Sequence, residues 1–92
     1  MFKGFITIVA KPFIEMESPF IINCHCDIKG DSVEIRFIGD YARAKRHELL
    51  ALQTGDRAFI EAEISRDKTL LVQSINFIND GKVLGRHIDF YA

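Results

Sequence analysis

Apolar and polar positions alternate along this chain in short runs, the two-residue period of strands with one buried face. Phe20–Ile28 shows it most clearly: Phe20, Ile22, Cys24, Cys26 and Ile28 fall on one side, and Ile21, Asn23, His25 and Asp27 on the other. Residues 33–38 repeat the pattern, with Val33, Ile35 and Phe37 inward against Glu34 and Arg36. Between these runs, Lys29-Gly30-Asp31-Ser32 is a turn cluster of the kind that joins antiparallel strands. Residues 2–10 are rich in β-branched and aromatic side chains and predict a first strand, ended by Pro12, which has no amide proton for a ladder. Residues 12–19, bracketed by prolines, read as a loop or bent strand. The strands at 2–10, 20–28 and 33–38 predict a meander.

The period then changes. Asp40 is placed to cap a helix, because a carboxylate accepts the unpaired amide protons of a first turn. Residues 41–53 hold no Gly or Pro, are rich in Ala, Leu and Arg, and predict about three turns of helix. Leu49, Leu50 and Leu52 gather at its end, while Arg43, Lys45, Arg46, His47 and Glu48 make its middle polar. Gly55 suits a left-handed stop. Residues 56–64 return to alternation, with Ala58, Ile60, Ala62 and Ile64 inward and Arg57, Phe59, Glu61 and Glu63 outward. A polar hairpin at 65–68 leads to a fifth strand at 69–78, Asn79-Asp80-Gly81 signals another turn, and residues 82–92 add a short sixth strand or edge extension. The order β-β-β-α-β-β, in one domain over residues 1–92, predicts a mainly β OB-fold: a five-stranded Greek-key barrel with one helix between strands three and four. Closure suits a small chain because it removes exposed sheet edges, and the helix would plug the open end with its leucines. A ferredoxin-like fold requires a second helix that the pattern lacks.

Composition narrows the chemistry. There are 12 Lys+Arg against 13 Asp+Glu, a net charge of −1, so any nucleic-acid site is a local patch rather than a polycationic surface. Cys24 and Cys26 are too few for a disulfide framework and share one side of a strand, which reads as reduced core thiols. A single residue between them makes a poor zinc chelate even with His25, His47 and His87 in the chain, so no metal or cofactor is expected. The apolar run after Met1 is too short for a signal peptide, and no stretch approaches the roughly 20 apolar residues of a membrane span. A cytoplasmic protein without a membrane partner is expected. Asp27 and Asp31 lie near His25 in sequence but without a nucleophile motif or a phosphate-cradling Gly-rich loop, so a non-enzyme is expected.

From residue 33 onward a family resemblance appears. Val33-Glu34-Ile35-Arg36-Phe37-Ile38-Gly39, the helix, the run from Gly55 to Ile64, and Ile75-Asn76-Phe77-Ile78 resemble the OB-fold of bacterial and phage single-stranded DNA-binding proteins. Gly39, Gly55, Ile60, Glu61, Ile75 and Phe77 match the family pattern. The connection from Gly39 to Gly55 is a few residues longer than the family's, and Ser32 and Ile38 stand where the family places stacking aromatics. The family's acidic partner-recruiting tail has no counterpart in Asp89-Phe90-Tyr91-Ala92, so tail-mediated recruitment is not expected. The resemblance implies binding of single-stranded DNA, or RNA, without sequence preference in replication or recombination, by a homo-oligomer such as a dimer or tetramer.

Strand binding needs cations along a groove and flat apolar faces for bases. The outward and loop residues of those types are Lys11 and Phe13 in the first loop, His25 and Arg36 on adjacent strands, Arg57 and Phe59 on the fourth strand, and Arg66 and Lys68 in the hairpin. Phe59, between Arg57 and Glu61, either stacks a base or meets another subunit. The basic stretch from Arg43 to His47 reads as a solvated helix face rather than a binding patch. The alternative function is an OB-fold protein–protein interaction module of a replication or mobile-element complex with little nucleic-acid binding. The missing platform aromatics favour it, and the loop cations oppose it.

Overall fold

The alternating segments close on themselves. In the computed structural model, which describes residues 1–79 and 82–90, the elements are β1 (Phe2–Ile8), β2 (Phe13–Glu17), β3 (Phe20–Ile28), β4 (Asp31–Ile38), α1 (Asp40–Ala44), α2 (Arg46–Leu50), β5 (Arg57–Ile64), β6 (Leu70–Asn79) and β7 (Lys82–Asp89). β1 runs antiparallel to β5 from Phe2↔Ala62 to Thr7↔Arg57, and its far end also pairs with β3 at Thr7↔Asp27 and Ile8↔Cys26. β3 and β4 are antiparallel, as are β5 and β6. A short parallel contact between β4 and β6, Ile35↔Leu70 and Arg36↔Leu71, completes the ring. The circuit β1-β3-β4-β6-β5 is the OB-fold barrel that the element order predicts.

Two strands are added outside the ring. The proline-bracketed stretch forms β2, which lies along the outer edge of β3. The expected sixth strand is β7, paired with β6. Asp80 and Gly81 of the expected turn, and Tyr91 and Ala92, lie outside the described residues. Between β3 and β4 the paired residues Ile28 and Asp31 leave a two-residue loop, Lys29-Gly30, with φ of 52° and 91°. Positive φ at both positions matches the twist of the flanking strands, and glycine meets that condition without steric cost. The Asp27 carboxylate accepts the Gly30 amide proton at 3.2 Å and fixes the turn.

The inward set follows the alternation. Ile6, Ile8, Ile22, Cys24, Cys26, Ile35, Phe37, Ala58, Ile60, Ala62 and Ile75 are all buried in one cluster. Ile64, expected inward, is instead 61% exposed. Alternation assigns a side but not the point where the core ends, and β5 runs past that point at Glu63 and Ile64.

The expected single helix is two short ones, interrupted at Lys45 with φ −105° and ψ 15°. No Gly or Pro marks this break, and each short helix buries one residue in the common core, Ala42 from α1 and Leu49 from α2. Gly39 takes the N-cap position and no side chain caps α1, so Asp40 is a first-turn carboxylate rather than the cap. Leu49 and Leu52 are buried in the core with Leu50 partly so, the predicted plug. Gly55 follows at φ 95°, donating its amide proton to the Ile8 carbonyl at 2.7 Å and tying the end of this connection back to β1.

Burial also governs the thiols. Cys24 and Cys26 are free and buried, and burial pushes each up to about 12, with Cys26 adding to the effect on Cys24 and Asp27 to that on Cys26. Both stay protonated and unreactive near neutrality. In the native protein at pH 8 neither thiol should react with an aromatic disulfide reagent, and both should react in denaturant. Rapid native labelling would place them outside the core. By urea unfolding, Leu49→Ala should cost about 2–5 kcal/mol and Ile64→Ala no more than about 0.5 kcal/mol. Similar losses at the two sites would contradict the plug.

Candidate functional site

The outer wall presents two chemically different faces. On the first, β4 projects Glu34 and Arg36, β3 projects Asn23 and His25, and β2 lies beside them with Glu15. Arg36 meets three carboxylates: its Nε lies 3.3 Å from Glu15 Oε1, its Nη2 3.3 Å from Glu34 Oε1, and its Nη1 3.5 Å from Asp67 Oδ2. Asn23 donates to Glu15 Oε1 at 2.7 Å and also to Glu34 Oε1. This network ties β2 to the β5–β6 hairpin across the barrel wall. Three carboxylates around one guanidinium take up the charge of Arg36, so this side chain is not free to meet a phosphate.

Asp67 is held by its own hairpin. It accepts the Ser65 hydroxyl proton and, at 3.0 Å, the Thr69 amide proton. These hydrogen bonds, the Ser65 one foremost, hold its carboxyl well below the usual carboxylate range, with Arg36 adding to them. Around this face the structure places Lys11, Phe13, His25, Arg66 and Lys68, all exposed. His25 stands opposite Glu34 in the ladder and Phe13 opposite Asn23.

The second face is carried by β1 and β5. Alternation that turns Ile6 and Ile8 inward turns Phe5 outward, where it pairs across the ladder with Phe59. The two rings meet edge to face, with centroids 5.0 Å apart and planes at 76°. Arg57 lies 5.7 Å from the Phe5 centroid. Phe5 remains 55% exposed while Phe59 is half-buried beside it. Phe59, ambiguous in the sequence, thus has an intramolecular partner, and Phe5 is the ring that solvent reaches. A groove of about 430 Å³ runs alongside, lined by Phe2, Phe5, Lys3, Lys29, Arg57 and Asp27 among others. Lys3 sits 4.0 Å from Glu61, an exposed pair that leaves its charge largely available. A Cβ at Gly4 would come 2.8 Å from the tip of the Phe2 ring, so a side chain there would push that ring aside.

Of the residues singled out from sequence, the structure brings Arg57 and Phe59 together on this second face and sets Lys11, Phe13, His25, Arg36, Arg66 and Lys68 around the first. Phe2, Lys3, Phe5 and Lys29 were not singled out. The signal for Phe5 was the strand period itself, applied to β1. An exposed ring flanked by guanidinium and ammonium groups can hold a planar π-system together with an attached anion. Among the described residues, no group of three or more His, Cys, Asp or Glu is arranged to hold a metal ion, and no helix is long and apolar enough to cross a membrane.

No protein-family model and no curated protein matches the chain. Solved structures do share its fold. The crystal structure of TiaS in complex with an isoleucine tRNA, AMPCPP and agmatine aligns with a TM-score of 0.70 and 16% identity, covering 84% of this chain and 18% of that one. A ZRD-deleted mutant of TiaS in complex with agmatine aligns at 0.74 and 13% identity, covering 96% and 25%. A tRNA fluorescent labeling enzyme aligns at 0.70 and 16% identity, covering 84% and 17%. At these identities the likeness is one of fold, and this chain spans about a quarter or less of each neighbour's length.

The Asp67 network has a pH signature. A carboxyl held below its ordinary range stabilises the fold above that range, and the contribution is lost as pH falls below about 4. Asp67→Asn should melt below the wild type at pH 7, with the gap narrowing between about pH 4 and pH 2. A gap that is constant over this interval would show that the carboxylate charge is not what the hairpin uses.

Proposed function

We propose that this chain is a single-stranded nucleic-acid-binding OB module that holds a strand on its β1–β5 face, without sequence preference. The observation that carries the reading is Phe5: an exposed ring, braced edge-on by Phe59 and flanked by Arg57, at the side of a groove with Lys3 and Lys29. A base would stack on Phe5 while phosphates meet the cations. The resemblance to single-stranded DNA-binding proteins supports DNA as the strand, in cytoplasmic replication or recombination, with a homo-oligomer as the working form. The tRNA named in two of the neighbouring structures supports RNA, and oligo-dT measured against oligo-U separates the two. In this reading the chain binds and does not catalyse.

A second reading, a protein-binding OB module, draws on a specific observation. Arg36 is neutralised on the β3–β4 face, and Phe13, Ile14 and Met16 are exposed on β2, an edge strand. There Phe5 would anchor a protein partner instead of a base.

Fluorescence anisotropy with labelled oligo-dT decides between them. Binding should be weak, and log K should fall with log salt by about 0.7 for each phosphate neutralised. Phe5→Ala should weaken it about 5- to 150-fold, the loss of one stacked base, whereas Arg36→Gln should change it less than about threefold. Absent or salt-independent binding, or indifference to Phe5→Ala, would favour the protein-binding module.

A further inference from the structure

The α1–α2 segment carries a second set of cations, in a different condition from Arg36. Arg43, Lys45, Arg46 and His47 are all exposed, and among the described residues none of them makes an ion pair. Two of these side chains are nevertheless fixed. The Arg43 guanidinium lies 4.9 Å from the Phe20 ring centroid and donates through Nη2 to the Glu17 carbonyl at 2.6 Å. Arg46 donates through Nη1 to the Arg43 carbonyl at 2.9 Å. Both line a groove of about 320 Å³ with Ile14, Glu17 and Phe20.

A guanidinium already held in place loses less freedom on meeting a phosphate, and its remaining N–H groups suit paired phosphate oxygens. Phe20 is 3% exposed and its face is covered by Arg43, so this groove offers charge rather than a stacking surface. Tyr41, exposed on α1, is the segment's aromatic, and Asp40 and Glu48 are its carboxylates. α1 packs on β3 and β4, whereas the Phe5 platform belongs to β1 and β5. The two surfaces therefore sit on different walls of a molecule 34 × 27 × 23 Å in extent.

We infer that Arg43, Lys45 and Arg46 form a second phosphate track, onto which a strand that begins on the Phe5 platform continues. The inference rests on the strand-binding reading above and extends its footprint. A short strand is held by the platform alone, and a longer one gains the helix cations. OB-fold sites cover about 4–16 nucleotides, so oligo-dT of about 6 and of about 20 nucleotides brackets the transition.

The test is anisotropy with both oligomers on the wild type, on Lys45→Glu with Arg46→Glu, and on Lys45→Glu alone. The single variant alters an exposed side chain that holds no ion pair and guards against loss of fold, which thermal melts monitor. The double variant should bind the short oligomer within about twofold of wild type. It should lose at least about tenfold on the long one, with a salt slope shallower by about 1.4, the equivalent of two phosphates. Lys45→Glu alone should give about half that slope change, and the charge-conserving Lys45→Arg should behave as wild type. An unchanged affinity and slope for the long oligomer would overturn the inference, as would a short-oligomer loss equal to the long-oligomer loss. So would unchanged binding of the long oligomer with variant-sensitive binding of polyglutamate, which would make the segment a protein contact. If the wild type ignores the short oligomer yet its binding of the long one depends on Lys45 and Arg46, the platform reading fails while the helix track stands.

Discussion

The barrel depends on a parallel contact between β4 and β6 that is two residue pairs long, Ile35↔Leu70 and Arg36↔Leu71. Without it the strands form an open sheet in which β4 and the start of β6, ahead of its pairing with β7, lose their partners on that side. With it, β1 has to serve β5 along most of its length and β3 at its end, which curves the wall and buries one side of every ring strand. The helical connection bridges this closure, since it leaves β4 and returns to β5, and Leu49 and Leu52 fill the space beneath it. The functional surfaces inherit their positions from the same constraint. Arg36 is one half of the closing pair Arg36↔Leu71, which brings it to the β5–β6 hairpin and to Asp67. The long β1–β5 ladder sets Phe5 opposite Phe59.

Electrostatics then separates cations that can act from cations that cannot. With a net charge of −1 the molecule has no general attraction for a polyanion, so placement decides. Glu15, Glu34 and Asp67 consume the charge of Arg36 within the wall. Arg57, Lys3 and Lys29 gather beside an exposed ring, and the α1–α2 cations stand without carboxylate partners among the described residues. On the face that sequence alternation made most prominent, β3–β4, the outward arginine is thus held by neighbouring carboxylates.

Much of the fold was legible because strand period and turn chemistry are local. The inward side of β3, β4 and most of β5, the Lys29-Gly30 turn, the left-handed Gly55 and the leucine plug all follow from neighbours in sequence. Other features were not, because they depend on where distant segments meet. Ile64 is exposed because β5 outruns the core. The helix breaks at Lys45 with no Gly or Pro to signal it, and β2 is a strand because β3 offers it an edge. In the candidate site, Arg57 and Phe59 were readable as outward residues of one strand. The neutralisation of Arg36 was not readable, since its carboxylate partners come from β2, from β4 and from a hairpin far along the chain. Phe5 lay within reach of the same reasoning and needed only the alternation of β1.

The central claim is that the β1–β5 face, rather than the β3–β4 face, receives the strand. Amide chemical-shift mapping of the isotopically labelled chain during titration with oligo-dT tests it residue by residue. The account predicts that the early, saturable shifts fall on Lys3–Thr7, Lys29 and Arg57–Glu61, with His25, Glu34 and Arg36 nearly still. Shifts concentrated at His25, Glu34, Arg36 and Lys68, with Phe5 and Phe59 unmoved, would contradict it.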